Sequence, residues 1–175
     1  IKMVKIAPSI LAADLMDMTN EIKLVDANGA DYIHIDVMDG HYVNNIAFGP
    51  NMVKSMRPHT KKILDVHLMI SPVKKFVDEF IAAGADIISF HPDADKNSRD
   101  ILNQIKSANC KAGIAIHPKV SINEIVSFLD LIDIVIVMTV VPGFGGQKFM
   151  QSEVNKIIEL SKIRKKRNLN YEIEI

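Results

Sequence analysis

Tyr32-Ile33-His34-Ile35-Asp36-Val37-Met38 is an apolar run that carries an imidazole and a carboxylate at alternate positions. A second run, Ile63-Leu64-Asp65-Val66-His67-Leu68-Met69, repeats the plan with an imidazole of its own. In extended chain, residues two apart point to the same face. His34, Asp36 and Met38 therefore share one side of their strand, and Asp65, His67 and Met69 share a side of theirs. If the strands are parallel neighbours, two imidazoles and a carboxylate converge near their C-terminal ends. That is a ligand set for a divalent transition metal, with room left for a substrate. A buried, hydrogen-bonded polar cluster would satisfy the same spacing, because His and Asp are costly to bury unpaired.

Outward from these runs, strand and helix patterns alternate without a linker or low-complexity segment. The spacing predicts strands at 5–10, 32–37, 63–69, 86–91, 112–116, 133–139 and 171–175. Helices are predicted from Asp14 to Asn28-Gly29, around 50–57, and over 73–83, 98–108, 121–130 and 151–166. Leu15, Met18, Ile22 and Val25 fall on one face of the first helix, Pro72 suits a first helical turn, and Gly84 is a helix stop. Gly-Ala-Asp recurs at 29–31 and 84–86, each time between a helix and a strand. Short, near-continuously apolar strands in unbroken βα alternation argue a parallel sheet covered on both faces. Polar residues at the C-termini of several strands favour a (β/α)8 TIM barrel over a doubly wound open sheet. Such barrels normally need about 200 residues or more, and the chain has 175. The expectation is one incomplete barrel domain over 1–175, seven strands and six helices, with its C-terminal βα units missing.

With 21 basic and 21 acidic residues, the chain has no net charge with which to attract nucleic acid or an anionic membrane. The longest apolar stretch, Leu131 to Val141, is interrupted by Asp133 and is too short to span a bilayer. No signal peptide is visible, and a lone Cys110 fits a reducing compartment, so a cytoplasmic location is expected. A homo-oligomer is the expected assembly.

Any anionic ligand must then be caught locally. Pro142-Gly143-Phe144-Gly145-Gly146-Gln147 follows the sixth strand and precedes a helix. Its glycines allow a tight turn whose N–H groups can face an anion, a preference that a helix N-terminus strengthens. It is neither a P-loop nor Gly-x-Gly-x-x-Gly. A plain strand-to-helix turn is the simpler reading of such a segment alone, but beside a metal cluster at the same end of a barrel, phosphate binding is favoured.

Four segments together carry a family resemblance. Ala7-Pro8-Ser9-Ile10-Leu11-Ala12-Ala13-Asp14, His34-Ile35-Asp36-Val37-Met38-Asp39-Gly40-His41, Asp65-Val66-His67-Leu68-Met69 and Val141-Pro142-Gly143-Phe144-Gly145-Gly146-Gln147-Lys148-Phe149 resemble the ribulose-phosphate 3-epimerases, in order and across essentially the whole chain. The resemblance implies a (β/α)8 barrel that interconverts D-ribulose 5-phosphate and D-xylulose 5-phosphate in the pentose phosphate pathway. It implies one divalent metal ion, foremost Zn(II) or Fe(II), with Mn(II) and Co(II) as further options. His34, Asp36 and His67 match three metal ligands, and Asp36 also matches one of two catalytic acid/base carboxylates. Ser9, His67, Met38, Met69 and Met138 match substrate contacts, and Gly143, Phe144, Gly145 and Gly146 match the phosphate turn. The remaining ligand, also the second acid/base Asp, lies in a family motif whose start matches Glu174-Ile175, and is expected just beyond Ile175. The chain departs from the family pattern at Asn44, Asp93, His117 and Val141, none of them in the metal cluster. His41 and His91 are assigned to loop and strand-end structure.

The chemistry agrees. Epimerising a carbon beside a ketone requires removing its proton, stabilising the enediolate, and returning a proton to the other face. A Lewis-acidic metal and one carboxylate per face supply those functions, and methionines offer apolar walls that exclude water. D-allulose 6-phosphate 3-epimerase would keep the same ligands, and a non-catalytic phosphosugar-binding barrel is a further alternative. Phosphate-binding barrel decarboxylases carry Asp-x-Lys-x-x-Asp on the third strand, where this chain has Asp65-x-His67 and no lysine.

Overall fold

The computed structural model describes residues 4–175. Strands β1 (Tyr32–Asp39) and β3 (Ile63–Met69) are parallel neighbours, with His34 opposite Asp65, Asp36 opposite His67 and Met38 opposite Met69. Beyond β3 lie β4 (Ile87–Phe90), β5 (Lys111–Ile116), β6 (Ile134–Val137) and β7 (Glu172–Glu174), each parallel to the last. A two-residue strand, β2 (Ile46–Ala47), folds back antiparallel on the end of β1, giving the order β2-β1-β3-β4-β5-β6-β7. The result is a mostly parallel seven-stranded α/β sheet, not closed by hydrogen bonds, in the manner of an incomplete (β/α)8 barrel.

The two faces of the strands have different tasks. Ile33, Ile35 and Val37 of β1, with Leu64, Val66 and Leu68 of β3, join the main apolar core with buried residues of the helices. Those helices are α1 (Met18–Ala27), α2 (Pro50–Met56), α3 (Val77–Ala83), α4 (Ser98–Ser107) and α5 (Val154–Lys166). The alternate positions form separate interior layers. Tyr32, Ile87 and Ile134 cluster at the N-terminal end of the strands, and Met38, Met69 and Val43 cluster at the mouth. Each fully buried Val, Leu or Ile on the helical face is worth about 1.5–3 kcal/mol, so that face supplies the driving force for folding.

Several elements differ from the sequence expectation. Residues 5–10 run beside β1, with the Asp31 and Tyr32 N–H groups donating to Ile6 O and the His34 N–H to Pro8 O, but only Ser9 and His34 form a bridge. Pro8 has no N–H to give a ladder. Ser9 instead caps a 3-10 turn, Ile10–Ala12, by accepting from the Leu11 N–H at 3.2 Å. The count of seven strands is met because β2 takes the place of that first strand.

Helix α1 starts at Met18. Asp14 closes a preceding turn, accepting from the Met16 N–H at 2.9 Å, and Leu15 is left 59% exposed. Pro72 lies in the connection ahead of α3, where Ser71 bonds Asp39 and the Ala94 carbonyl. Gly84 does stop α3, in the left-handed conformation at φ 101°. Residues 121–130 form two 3-10 turns, Ile122–Glu124 and Val126–Phe128, the first fixed by a Ser121–Glu124 capping box. Five α-helices are therefore present among the described residues, where six were expected.

Residues near the two ends of the described chain meet at the N-terminal end of the strands. Lys5 Nζ lies 2.6 Å from both Glu172 Oε1 and the Tyr32 hydroxyl, which in turn donates to Glu172 Oε2 at 2.9 Å.

Candidate active site and metal centre

Register decides the site. Because His34 faces Asp65 and Asp36 faces His67 across the β1–β3 pair, four polar side chains stack in two adjacent rungs on the interior face. Asp36 Oδ1 is their meeting point: His34 Nε2 lies 3.3 Å from it and His67 Nδ1 lies 3.1 Å from it. The other oxygen, Oδ2, accepts a 2.6 Å bond from the Ser9 hydroxyl. One ligand atom from each of His34, Asp36 and His67 falls within 4.8 Å of the others, so the three could hold a metal ion. The convergence expected from strand parity is present.

Behind this trio sits a second layer, including His91, which the sequence assigns to strand-end structure, and Asp65, which it places on the His67 side without a role in the site. His34 Nδ1 lies 2.8 Å from Asp65 Oδ2 and 3.0 Å from Glu174 Oε1. Asp65 is fully buried, and its Oδ1 and the Glu174 Oε2 have no partner among the described residues. His67 Nε2 lies 2.9 Å from Nε2 of His91, itself fully buried. Asp65 could have been found by counting the β1–β3 register. His91 follows from Ser89 opposite His67, being two residues further along on the same face.

The electrostatics follow from crowding charge in a dry place. Burial works to raise the Asp36 carboxyl, but hydrogen bonds and charge from His34 and His67 hold it well below the usual carboxylate range. Burial works to lower His34, and the charge of Asp65 with the bonds from Asp36, Asp65 and Glu174 pushes it well up. Burial and the nearby charge of Asp65 raise Glu174 despite its bond to His34. His91 goes the other way, driven down by burial and by His67. Three carboxyl groups thus surround two imidazoles, with buried acceptor oxygens to spare. Those spare oxygens belong to Asp65 and Glu174, which with His34 form a second group that could hold an ion; of the two, the His/His/carboxylate donor set of His34, Asp36 and His67 better suits a divalent transition metal.

In front of the trio lies a cavity of about 330 Å³ lined by Ser9, Asp36, Met38, Met69, Met138 and the turn Gly143–Gly146. Every expected substrate contact except His67 lines it; His67 is buried and does not reach the cavity wall. In the turn, Gly143 and Gly146 have φ of 117° and 71°, which side-chain-bearing residues rarely adopt. A Cβ on Gly143 would stand 3.3 Å from Val43, whereas no atom of the described residues lies within 4 Å of that position at Gly145. The turn is braced by Asn45 Nδ2, which donates to the Gly143 carbonyl at 2.8 Å, and by Gln147 Nε2, which donates to Val141 O and Phe144 O. It does not lead straight into a helix: a 3-10 turn, Gln151–Glu153, precedes α5. An anion there would rely on the turn's own N–H groups. A larger cavity, about 460 Å³, opens at the opposite end of the strands beside Lys5, Tyr32 and Glu172, and the His/Asp/His trio takes no part in it.

A carboxylate held between two imidazoles at the mouth of a parallel α/β barrel defines a barrel enzyme. Residues 5–175 match the model of the Ribulose-phosphate 3 epimerase family. The chain belongs to that family. It is 48% identical over 156 residues to the ribulose-phosphate 3-epimerase of Rhodobacter capsulatus, covering 88% of this chain and 68% of the relative. Against the Bacillus subtilis enzyme of that name it is 47% identical over 161 residues, covering 92% and 74%. Among solved structures, 3-keto-L-gulonate-6-phosphate decarboxylase from Vibrio cholerae superposes with a TM-score of 0.64 at 18% identity, covering 98% of this chain and 76% of that one. A tryptophan synthase α-subunit from Pyrococcus furiosus gives 0.65 at 12%, covering 96% and 84%. At such identities these two speak for the barrel fold alone.

Proposed function

We propose that this chain carries the first acid/base carboxylate and the metal site for the reversible epimerisation of D-ribulose 5-phosphate at C3 to D-xylulose 5-phosphate in the pentose phosphate pathway, in keeping with relatives named ribulose-phosphate 3-epimerase. The observation that carries the reading is Asp36: ionised, bonded by Ser9, flanked by two imidazoles, and facing the cavity. A carboxylate so placed can take the proton from a carbon beside a ketone and give it back. Ser9 fixes the plane of the carboxylate, leaving Asp36 few orientations. Met38, Met69 and Met138 wall the cavity with apolar, polarizable surface that excludes water from the deprotonated sugar. Epimerisation needs a second acid/base group on the opposite face. We assign it to the Asp of the family motif whose start Glu174-Ile175 resembles.

We assign the metal ligands to His34, Asp36 and His67, with Zn(II) or Fe(II) as the ion and Mn(II) or Co(II) as alternatives. When bound, the ion supplies Lewis-acid stabilisation of the negative charge that develops on the substrate oxygens. The open face of the turn at Gly143, Phe144, Gly145 and Gly146 suits the phosphate. The single continuous sheet supports treating residues 1–175 as one barrel domain. No helix among the described residues is long and apolar enough to cross a membrane. A cytoplasmic homo-oligomer that binds no nucleic acid is our expectation for its setting.

The deciding experiment follows epimerisation of D-ribulose 5-phosphate by a coupled xylulose 5-phosphate assay, with D-allulose 6-phosphate as competitor substrate. Higher kcat/KM on the pentose supports the reading. Preference for the hexose would reassign the substrate, and no turnover of either by metal-loaded protein would leave a binding barrel.

A further inference from the structure

Both ring nitrogens of His67 are engaged. Nδ1 faces Asp36 Oδ1 at 3.1 Å, and Nε2 faces Nε2 of His91 at 2.9 Å. Two imidazole nitrogens at that distance are bonded only if one carries a hydrogen and the other does not. His91 is fully buried, the Tyr42 ring lies over it at 5.1 Å between centroids, and Tyr42 is anchored by donating to Asp93 at 2.9 Å. The remaining nitrogen of His91, Nδ1, has no partner among the described residues. No neighbour therefore dictates which of its nitrogens bears hydrogen, and His91 can either donate to His67 or accept from it.

We propose that His91 is a positioning residue that reserves Nδ1 of His67 for the metal ion by holding the hydrogen on Nε2. The inference rests on the reading that His34, Asp36 and His67 hold a divalent ion. A nitrogen that binds a metal must offer a lone pair, so a neutral His67 ligated through Nδ1 carries its hydrogen on Nε2 and donates it to Nε2 of His91. His91 then carries its own hydrogen on Nδ1. In that arrangement each of the two rings holds one hydrogen, and the bond between the two Nε2 atoms runs from His67 to His91.

His34 is held by the opposite nitrogen. Its Nδ1 faces Asp65 and Glu174, leaving Nε2 toward Asp36. The site thus presents Nε2 from one imidazole and Nδ1 from the other, each fixed by a buried partner on the far side of its ring. Such outer partners raise ligand basicity and fix ring orientation, and their loss typically costs about 10–100-fold in metal affinity.

The test is a Co²⁺ titration by chelator competition on the wild-type protein, His91→Phe and His91→Gln, with melting temperature as the control for folding. Phe keeps a ring against Tyr42 but accepts no hydrogen bond; Gln restores an acceptor oxygen. We expect Co²⁺ affinity to fall about 10–100-fold in His91→Phe and to recover in part in His91→Gln. Proton NMR of the Co²⁺-loaded wild type should show two shifted, exchangeable imidazole N–H signals, Nδ1–H of His34 and Nε2–H of His67. His91→Phe should broaden or lose the second. Wild-type affinity in a folded His91→Phe, or a His67 signal assigned to Nδ1–H, overturns the role of His91 while leaving the metal site standing. Failure of the wild type to bind Co²⁺ at all overturns both readings.

Discussion

The Ser9 hydroxyl donates a 2.6 Å hydrogen bond to Asp36 Oδ2, tying the segment before the first 3-10 turn to the carboxylate that both imidazoles approach. The two residues stand 27 apart in sequence, and the bond forms because residues 5–10 run alongside β1. Ser9→Ala should keep the fold and metal content but lower kcat by about 10-fold, the scale of a lost hydrogen bond to a charged group. Steady-state kinetics beside an elemental assay would check it.

Asp36→Asn preserves shape and removes both the base and a ligand charge. Epimerisation should fall by at least about 10²-fold. In heavy water, active wild-type protein should place deuterium at the carbon beside the ketone, and the variant should not. Product formed without solvent deuterium would require a different mechanism.

Chelation should abolish activity, and adding back one equivalent of divalent metal should restore it. His67→Ala should weaken metal binding strongly, since it deletes a donor and leaves His91 without its partner. Full turnover by a metal-free sample would contradict the assignment of the trio.

The glycine turn gives a contrast within one loop. Gly145 opens onto free space, so Gly145→Val should raise KM for the phosphorylated sugar while leaving the melting temperature nearly unchanged. Gly143 has φ of 117° and Val43 close by, so Gly143→Val should lower stability by about 1 kcal/mol or more as well. Equal effects on KM and melting from both substitutions would contradict the open-face assignment.

Burial works to raise the Glu172 carboxyl, and hydrogen bonds from Lys5 and Tyr32 outweigh it, holding the group below its ordinary value of 4.5. A group lowered on folding contributes fully above its unfolded value and loses that contribution as pH falls through its folded one. Lys5 is partly exposed, so Glu172→Gln should cost no more than about 1 kcal/mol at neutral pH, with the difference from wild type vanishing in acid. Denaturant midpoints followed from pH 7 downward through the acid range test both sign and size.

Much of this molecule is legible before its structure. Parity puts His34 and Asp36 on one side of their strand and His67 on one side of the next, and the parallel β1–β3 register then brings the three together. Gly84 announces the end of α3 because a left-handed residue is needed there. What escapes is set by longer-range geometry. The strand Ile46–Ala47 is two residues long, with Ile46 80% exposed, and carries no hydrophobic period to detect. The 121–130 segment has helical spacing, yet Ile122, Ile125 and Leu129 reach the core through tighter 3-10 turns. The partnership of His91 with His67 depends on the β3–β4 register, which no local pattern encodes.

On β1, Ile33, Ile35 and Val37 belong to the helix-covered core, and His34, Asp36 and Met38 do not. Adjacent letters of one strand therefore answer to different selective pressures. In a saturation scan, damage along 33–38 should alternate residue by residue between vanishing protein and intact protein that no longer works. The letters that serve the site and those that join the helix-covered core lie on opposite faces of one strand, so a substitution in one set does not enter the packing of the other.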